Sequence, residues 1–376
     1  MIVFVALLGL ITLLGVQKRK KEEPFLSKEM TTTVNGIFVL CIFLTHSSEY
    51  ISFSGVADSL YRHFQNFHNQ WIVTTFLAFS GYGVMSQIVK YGDAYLAEYP
   101  KNRLLKTLFN FDIAVLLYLV MNLILGINYS TTEIIGSFVG ITSVGNSNWY
   151  IFAILVMYLV SYLSACLFRK NYVYQAVGVT VGTIAYIIIM QLFDMPSRFV
   201  STILCYPAGV WLCVYKKQIY ILLKKYTVQS ISIIAVILLV TYKFRYNDYI
   251  MNLSSIYFVL AIVCFNTFFT IKSKMLQFVG KHAFSIYILQ RIPMIFFEHY
   301  GFMKEYRYIF VIVVGLCTIL IAVLFDNLIK KINSSLFANK NIQKMRYCKK
   351  NLRYDKIESI LVCIEFSICV CYDVFM

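Results

Sequence analysis

"VNGIFVLCIFLTH" occupies residues 34–46, where nine apolar residues from Gly36 to Leu44 run into Thr45 and an ionisable ring, His46. Stretches of this kind recur along the chain. Apolar runs of membrane length fall near residues 1–16, 34–51, 71–89, 107–127, 148–168, 173–193, 199–215, 227–242, 249–271, 282–300 and 308–329. Hydrophobic residues make up 59% of the 376, only 14% are charged, and the mean hydropathy is +0.70. A water-soluble chain of this length has too little interior to hide so much apolar surface. The pattern predicts an all-α, polytopic transmembrane helix bundle: ten core helices and one N-terminal anchor helix.

The net charge of +16 invites a nucleic-acid reading until the basic residues are placed. They sit in short loops between apolar runs, so they report topology and exclude nucleic acid as the partner. If the loop after the first span is cytoplasmic, eighteen of them lie in inside loops and six in outside loops, with the basic tail also inside. This count predicts a multi-pass cell-membrane protein with its N-terminus outside and its C-terminal tail cytoplasmic. The first span is followed by "QKRKKEE" rather than by a small-residue cleavage site, which reads as an uncleaved anchor. The predicted organisation is an anchor and basic linker (1–30), a ten-helix membrane domain (31–332), and a cytoplasmic tail, first basic and then apolar (333–376). None of the ten cysteines falls in an outside loop. There is no CxxC or HExxH motif and the five histidines are scattered, so no metal is expected.

His46 has two readings. It is either a polar residue bonded to a neighbouring helix or a functional group. "THSSE" follows the apolar run and puts Glu49 beside the ring, where a carboxylate orients an imidazole and raises its basicity. "SGYG" (80–83) sets two glycines in a helix, either for close packing or for ligand approach. Arg291 falls within a span, on its inner half, where a charge is costly unless paired; Asp112 is one carboxylate that would serve.

Five stretches, in order, resemble the acyltransferase-3 family of integral-membrane acyltransferases. "FLSKEMTTTVNGIFVLCIFLTHSSEY" (25–50) is similar to its first core helix, marked by a basic residue, ten residues and a histidine. "FLAFSGYGVMSQIVK" (76–90) resembles its Ser-Gly-Tyr helix, and "YLAEYPKNRLLKTL" (95–108) its basic cytoplasmic loop. "NSNWYIFAILVMYLV" (146–160) and "LQFVGKHAFSIYILQR" (276–291) are similar to its Trp-Tyr-led helix and its late Gly-Lys segment. Three positions depart from the pattern. Asn35 stands where the family has Arg or Lys, Lys106 replaces the second arginine of the loop, and Gln290 replaces a frequent His.

The resemblance implies that His46 is the catalytic histidine, and Glu49, beside it in the sequence, is expected to complete a catalytic pair. It also implies a donor site for acyl-CoA built from Arg103, Lys106, Asn35 and Tyr82. The implied activity moves an acyl group, most commonly acetyl, from cytoplasmic acyl-CoA to a hydroxyl of a surface or lipid-linked polysaccharide. The competing expectation is a transporter or flippase for a glycan precursor or small solute. Membrane lipid is a partner in either case.

Overall fold

The computed structural model describes residues 1–53, 55–68, 70–302 and 306–337. As expected, the chain is an all-α membrane bundle. In chain order its helices begin with α1 (Ile2–Gly15), α2 (Lys28–Ser47), α3 (Val56–His68), α4 (Trp71–Tyr91), α5 (Asp93–Ala97) and α6 (Lys106–Leu125). They continue with α7 (Thr131–Phe138), α8 (Trp149–Leu167), α9 (Tyr172–Leu192), α10 (Cys205–Val214), α11 (Lys216–Lys225) and α12 (Thr227–Tyr242). The last are α13 (Asp248–Phe268), α14 (Lys274–Lys281), α15 (Ala283–Leu289), α16 (Arg291–His299) and α17 (Arg307–Leu336).

Among the described residues seven helical spans are long and apolar enough to cross a membrane. α11 and α12, bent by 99° between them, make an eighth if counted as one. The other expected spans are short or broken. α1 and α10 have 14 and 10 residues, below the ~20 that a ~30 Å hydrocarbon layer asks of a helix. The span expected at 282–300 is divided into α15 and α16 at Gln290. Pro293 explains the division, since its missing N–H and its ring both work against the helical turn behind it.

Two features were not anticipated. α3 is an amphipathic helix in the loop expected outside, with Asp58, Tyr61 and His68 buried and Val56, Leu60 and Phe67 exposed. The basic linker is also anchored. Strand β1 (Val16–Lys18) pairs antiparallel with β2 (Phe269–Ile271), Val16 opposite Ile271. Around this pair Leu26 N–H donates to Asn266 Oδ1 at 2.9 Å, and Arg19 Nη2 donates to the Tyr220 hydroxyl at 2.8 Å. Lys272 hydrogen-bonds Glu23 and holds its carboxyl below the usual carboxylate range.

Glycines set the tightest helix crossings. A Cβ on Gly280 would lie 1.8 Å from the Thr32 carbonyl oxygen, and one on Gly36 2.0 Å from that of Leu276. α2 and α14 therefore touch backbone to backbone. Gly81 and Gly209 do the same for α4 and α10, at 2.2 Å from Tyr206 O and 1.9 Å from Ala78 O. Only a residue without a side chain allows such an approach.

The chain divides into a unit Met1–Ile329 and a second unit from Lys330. Of the second, the residues through 337 are described; the expected basic and apolar tail lies largely outside the described residues.

Candidate active site

Ser27 fixes the start of α2. Its hydroxyl accepts from the Met30 N–H at 3.2 Å, satisfying one of the free donors of the first turn. With the helix anchored there, Asn35 and His46 stand eleven residues apart on it, roughly 16 Å at 1.5 Å per residue. α2 ends at Ser47, and a 3₁₀ turn over Ser48–Tyr50 brings Glu49 back under the ring. His46 Nδ1 and Glu49 Oε1 are 2.9 Å apart. The spacing read from the sequence is therefore a real contact.

A third residue, which the sequence reading placed elsewhere, completes the cluster. Arg291 opens α16 and donates from Nη2 to both oxygens of Glu49, at 3.0 and 2.8 Å. Its Nη1 donates to the Tyr50 hydroxyl at 3.3 Å. Arg291 is thus paired with Glu49, not with Asp112, whose Oδ1 is buried without a partner. The expectation went astray because 282–300 was read as one continuous span. Pro293, two residues beyond the arginine, was the available sign that α16 starts afresh at Arg291. The register comes from the glycine crossing. From Gly36 to His46 is ten residues, and from Gly280 to Arg291 eleven, so the two segments run on together until their side chains meet.

The arrangement constrains the imidazole. Arg291 Nη2 also lies 2.6 Å from His46 Nδ1. A neutral ring nitrogen either donates to Glu49 or accepts from Arg291, never both at once. When Nδ1–H points to Glu49, Nε2 keeps its lone pair and is a base. When Arg291 donates to Nδ1, the proton sits on Nε2 and the ring cannot act as a base. Glu49, ionised and held by two guanidinium bonds, favours the first tautomer. The His46 side chain is 21% exposed, so the site is neither sealed nor flooded.

The residues expected on the donor side lie apart from this cluster. A wide helical turn, Pro100–Leu105, leads into α6 and carries Arg103 one turn before Lys106. Arg103 Nε donates to the Tyr95 hydroxyl at 2.9 Å, and its guanidinium lies 5.9 Å from the Tyr158 ring centre. Tyr99 packs edge-on to Tyr95 at 5.4 Å and stacks on Tyr162 at 5.6 Å, so the cation sits against a wall of tyrosines. That wall reaches α4, where Ser80 and Tyr158 share a hydrogen bond of 2.8 Å. Tyr82 is buried two residues further on, with Lys216 Nζ 5.5 Å from its ring centre. Lys216 was read only as a topology signal; its position beside Tyr82 is long-range and has no local sequence mark. The packing reading of "SGYG" holds for one of its glycines. Gly81 is a packing contact, whereas a Cβ on Gly83 would meet nothing within 4 Å. Asn35 is half-buried, with a buried Oδ1 that has no partner.

Comparison with known proteins adds one finding. A family model described as an acyltransferase domain matches residues 34–326. No curated protein and no solved structure matches the chain.

Proposed function

The chain belongs to the acyltransferase-3 family of membrane acyltransferases, and on that premise we propose that it moves an acetyl group from cytoplasmic acyl-CoA to a hydroxyl of a surface or lipid-linked polysaccharide. The observation that carries this reading is the held imidazole: His46 Nδ1 lies 2.9 Å from Glu49 Oε1 and Arg291 grips Glu49, an arrangement whose favoured tautomer leaves Nε2 as a base. Acyl transfer asks for that group. Nε2 accepts the acceptor's hydroxyl proton as the oxygen bonds to the thioester carbonyl carbon. The carbon–sulfur bond then breaks, and the leaving thiolate takes the proton back from Nε2. Ester and thiol result, with no net proton gained or lost.

The donor is assigned to the face that carries Arg103 and Lys106, which the excess of basic loops makes cytoplasmic. Asn35 and Tyr82 belong to the path between that face and His46. The pantetheine arm has roughly 16 Å to cover along α2, about half a hydrocarbon layer. The test of the function is mass analysis of surface glycans from cells with and without the protein. Loss of single acetyl increments is the expected result, whereas loss of whole glycans would point to a flippase.

Arg103→Gln combined with Lys106→Gln should raise the KM for acetyl-CoA about 10–100-fold, the scale of two lost charge-assisted contacts. Turnover should change little, because these contacts are remote from the bond that breaks. The measurement uses sealed inverted vesicles, in which added acetyl-CoA meets the cytoplasmic face. An unchanged KM, or transfer only from the opposite face, would refute the donor assignment.

A further inference from the structure

Near the catalytic cluster the bundle holds a second concentration of polar groups, and much of its hydrogen-bonding capacity is unused. The segment joining α7 to α8 is non-helical yet folded inward, with Val144, Asn146, Ser147 and Asn148 all buried. Part of it is satisfied. Asn122 Nδ2 donates to the Val144 carbonyl at 2.8 Å, and Val144 N–H donates to Asn146 Oδ1 at 3.0 Å. Asn146 Nδ2 and Ser147 Oγ, however, have no partner. One more such atom lies where α15 meets α16: Gln290 Oε1, whose residue is fully buried. Buried polar atoms in folded proteins are nearly always bonded, so three in one neighbourhood call for an explanation.

They border one another through residues 287–295. Tyr118 lies against the backbone of Arg291 and Ile292. A Cβ on Gly145, next to Asn146, would lie 2.9 Å from Ile295 and 3.6 Å from Tyr118. Tyr287 packs on Tyr150 with ring centres 5.5 Å apart, and Gln290 adjoins Arg291 in the chain. The unused atoms also differ in kind. Asn146 offers a donor, Gln290 a carbonyl acceptor, and the Ser147 hydroxyl either. An anion would find the Gln290 oxygen repulsive, and an alkyl chain would leave all three unmet. A ring of hydroxyls, each able to donate and accept, fits the set.

We propose that Asn146, Ser147 and Gln290 form the acceptor subsite and hold one polyhydroxylated sugar ring beside Arg291. The bound ring presents a hydroxyl to His46 Nε2. This assignment rests on the acyltransferase reading above and gives that reading its acceptor side.

The experiment is saturation-transfer NMR of the full-length protein in lipid nanodiscs, with N-acetylglucosamine, glucose and galactose as probes. Wild type and the inactive His46→Gln protein should both saturate the protons of at least one sugar. Asn146→Leu, Ser147→Ala and Gln290→Leu should each weaken that sugar's Kd by about tenfold, the scale of one hydrogen bond to a fully desolvated group. Ser147→Ala removes a single unbonded oxygen and guards against a folding artefact. Gln290→Leu removes an unmet acceptor together with the Nε2–H donated to the Tyr287 carbonyl at 3.2 Å, two effects that offset, so its melting temperature should change by only a few degrees. No saturation from any of the three sugars, or saturation indifferent to all three substitutions, overturns the subsite and leaves buried water as the partner of these atoms. Sugar that binds and is lost in the variants, without transfer from acetyl-CoA to any acceptor, keeps the subsite and removes the acyltransferase reading.

Discussion

Purified His46→Gln protein should fold like wild type and transfer almost no acyl group. Glutamine is close to histidine in reach and keeps a hydrogen-bonding amide near Glu49 and Arg291, so the local polar network survives the change. It has no titratable nitrogen and cannot take the acceptor's proton. A general base contributes on the order of 10²–10⁴-fold, and loss on that scale is expected in kcat with the melting temperature nearly unchanged. A purely structural His46, bonded to Glu49 at 2.9 Å and otherwise idle, would be largely replaced by the amide. Wild-type turnover in a well-folded His46→Gln sample would therefore refute the base assignment.

Gly280→Ala should damage both stability and turnover, although Gly280 lies eleven residues before Arg291. The new methyl would stand 1.8 Å from the Thr32 carbonyl oxygen, far inside van der Waals contact. Backbone lies on both sides of the crossing, so no side-chain rotamer can relieve the clash and α14 must move away from α2. Overpacking of a core typically costs about 1–3 kcal/mol, and an unyielding contact belongs at the upper end. The displacement also reaches the site, because the same crossing sets the register of Arg291 against His46. A misplacement of about 1 Å can cost on the order of 10²-fold in rate. Thermal melting and transfer assays on Gly280→Ala, beside a Gly9→Ala control whose added methyl meets nothing within 4 Å, measure both effects. Normal turnover in Gly280→Ala would mean that the crossing does not position the site.

What the sequence revealed depended on distance along the chain. His46 and Glu49 are three residues apart at a helix end, and so short a span leaves few geometries; the contact was legible. The bundle was legible too, because hydropathy sums over about twenty residues and tolerates local exceptions. Arg291 was not. Its partner lies 242 residues away, and its depth depends on a helix break that hydropathy averaging erased. Pro293 carried the information, but a single residue is outweighed by the apolar residues around it. The α2–α14 crossing was likewise invisible, since Gly36 and Gly280 look like ordinary helix glycines until both backbones are placed. Gly81 and Gly83 make the same point at close range: two residues apart in one motif, one is pressed against a carbonyl and the other faces open space. The tyrosine wall around Arg103 joins three separate stretches of chain, and no local spacing announces it.

The strand pair that fastens the basic linker has a consequence in time. Leu26 leaves the ribosome long before its partner Asn266, which follows 240 residues later, and the partner of Glu23 follows after 249. At about 5–20 residues per second, the linker waits roughly 12–50 s for the segment it must join. During that interval β1 remains an unpaired edge. Assembly of this protein therefore closes like a clasp, with the linker secured only when a segment made some 240 residues later arrives.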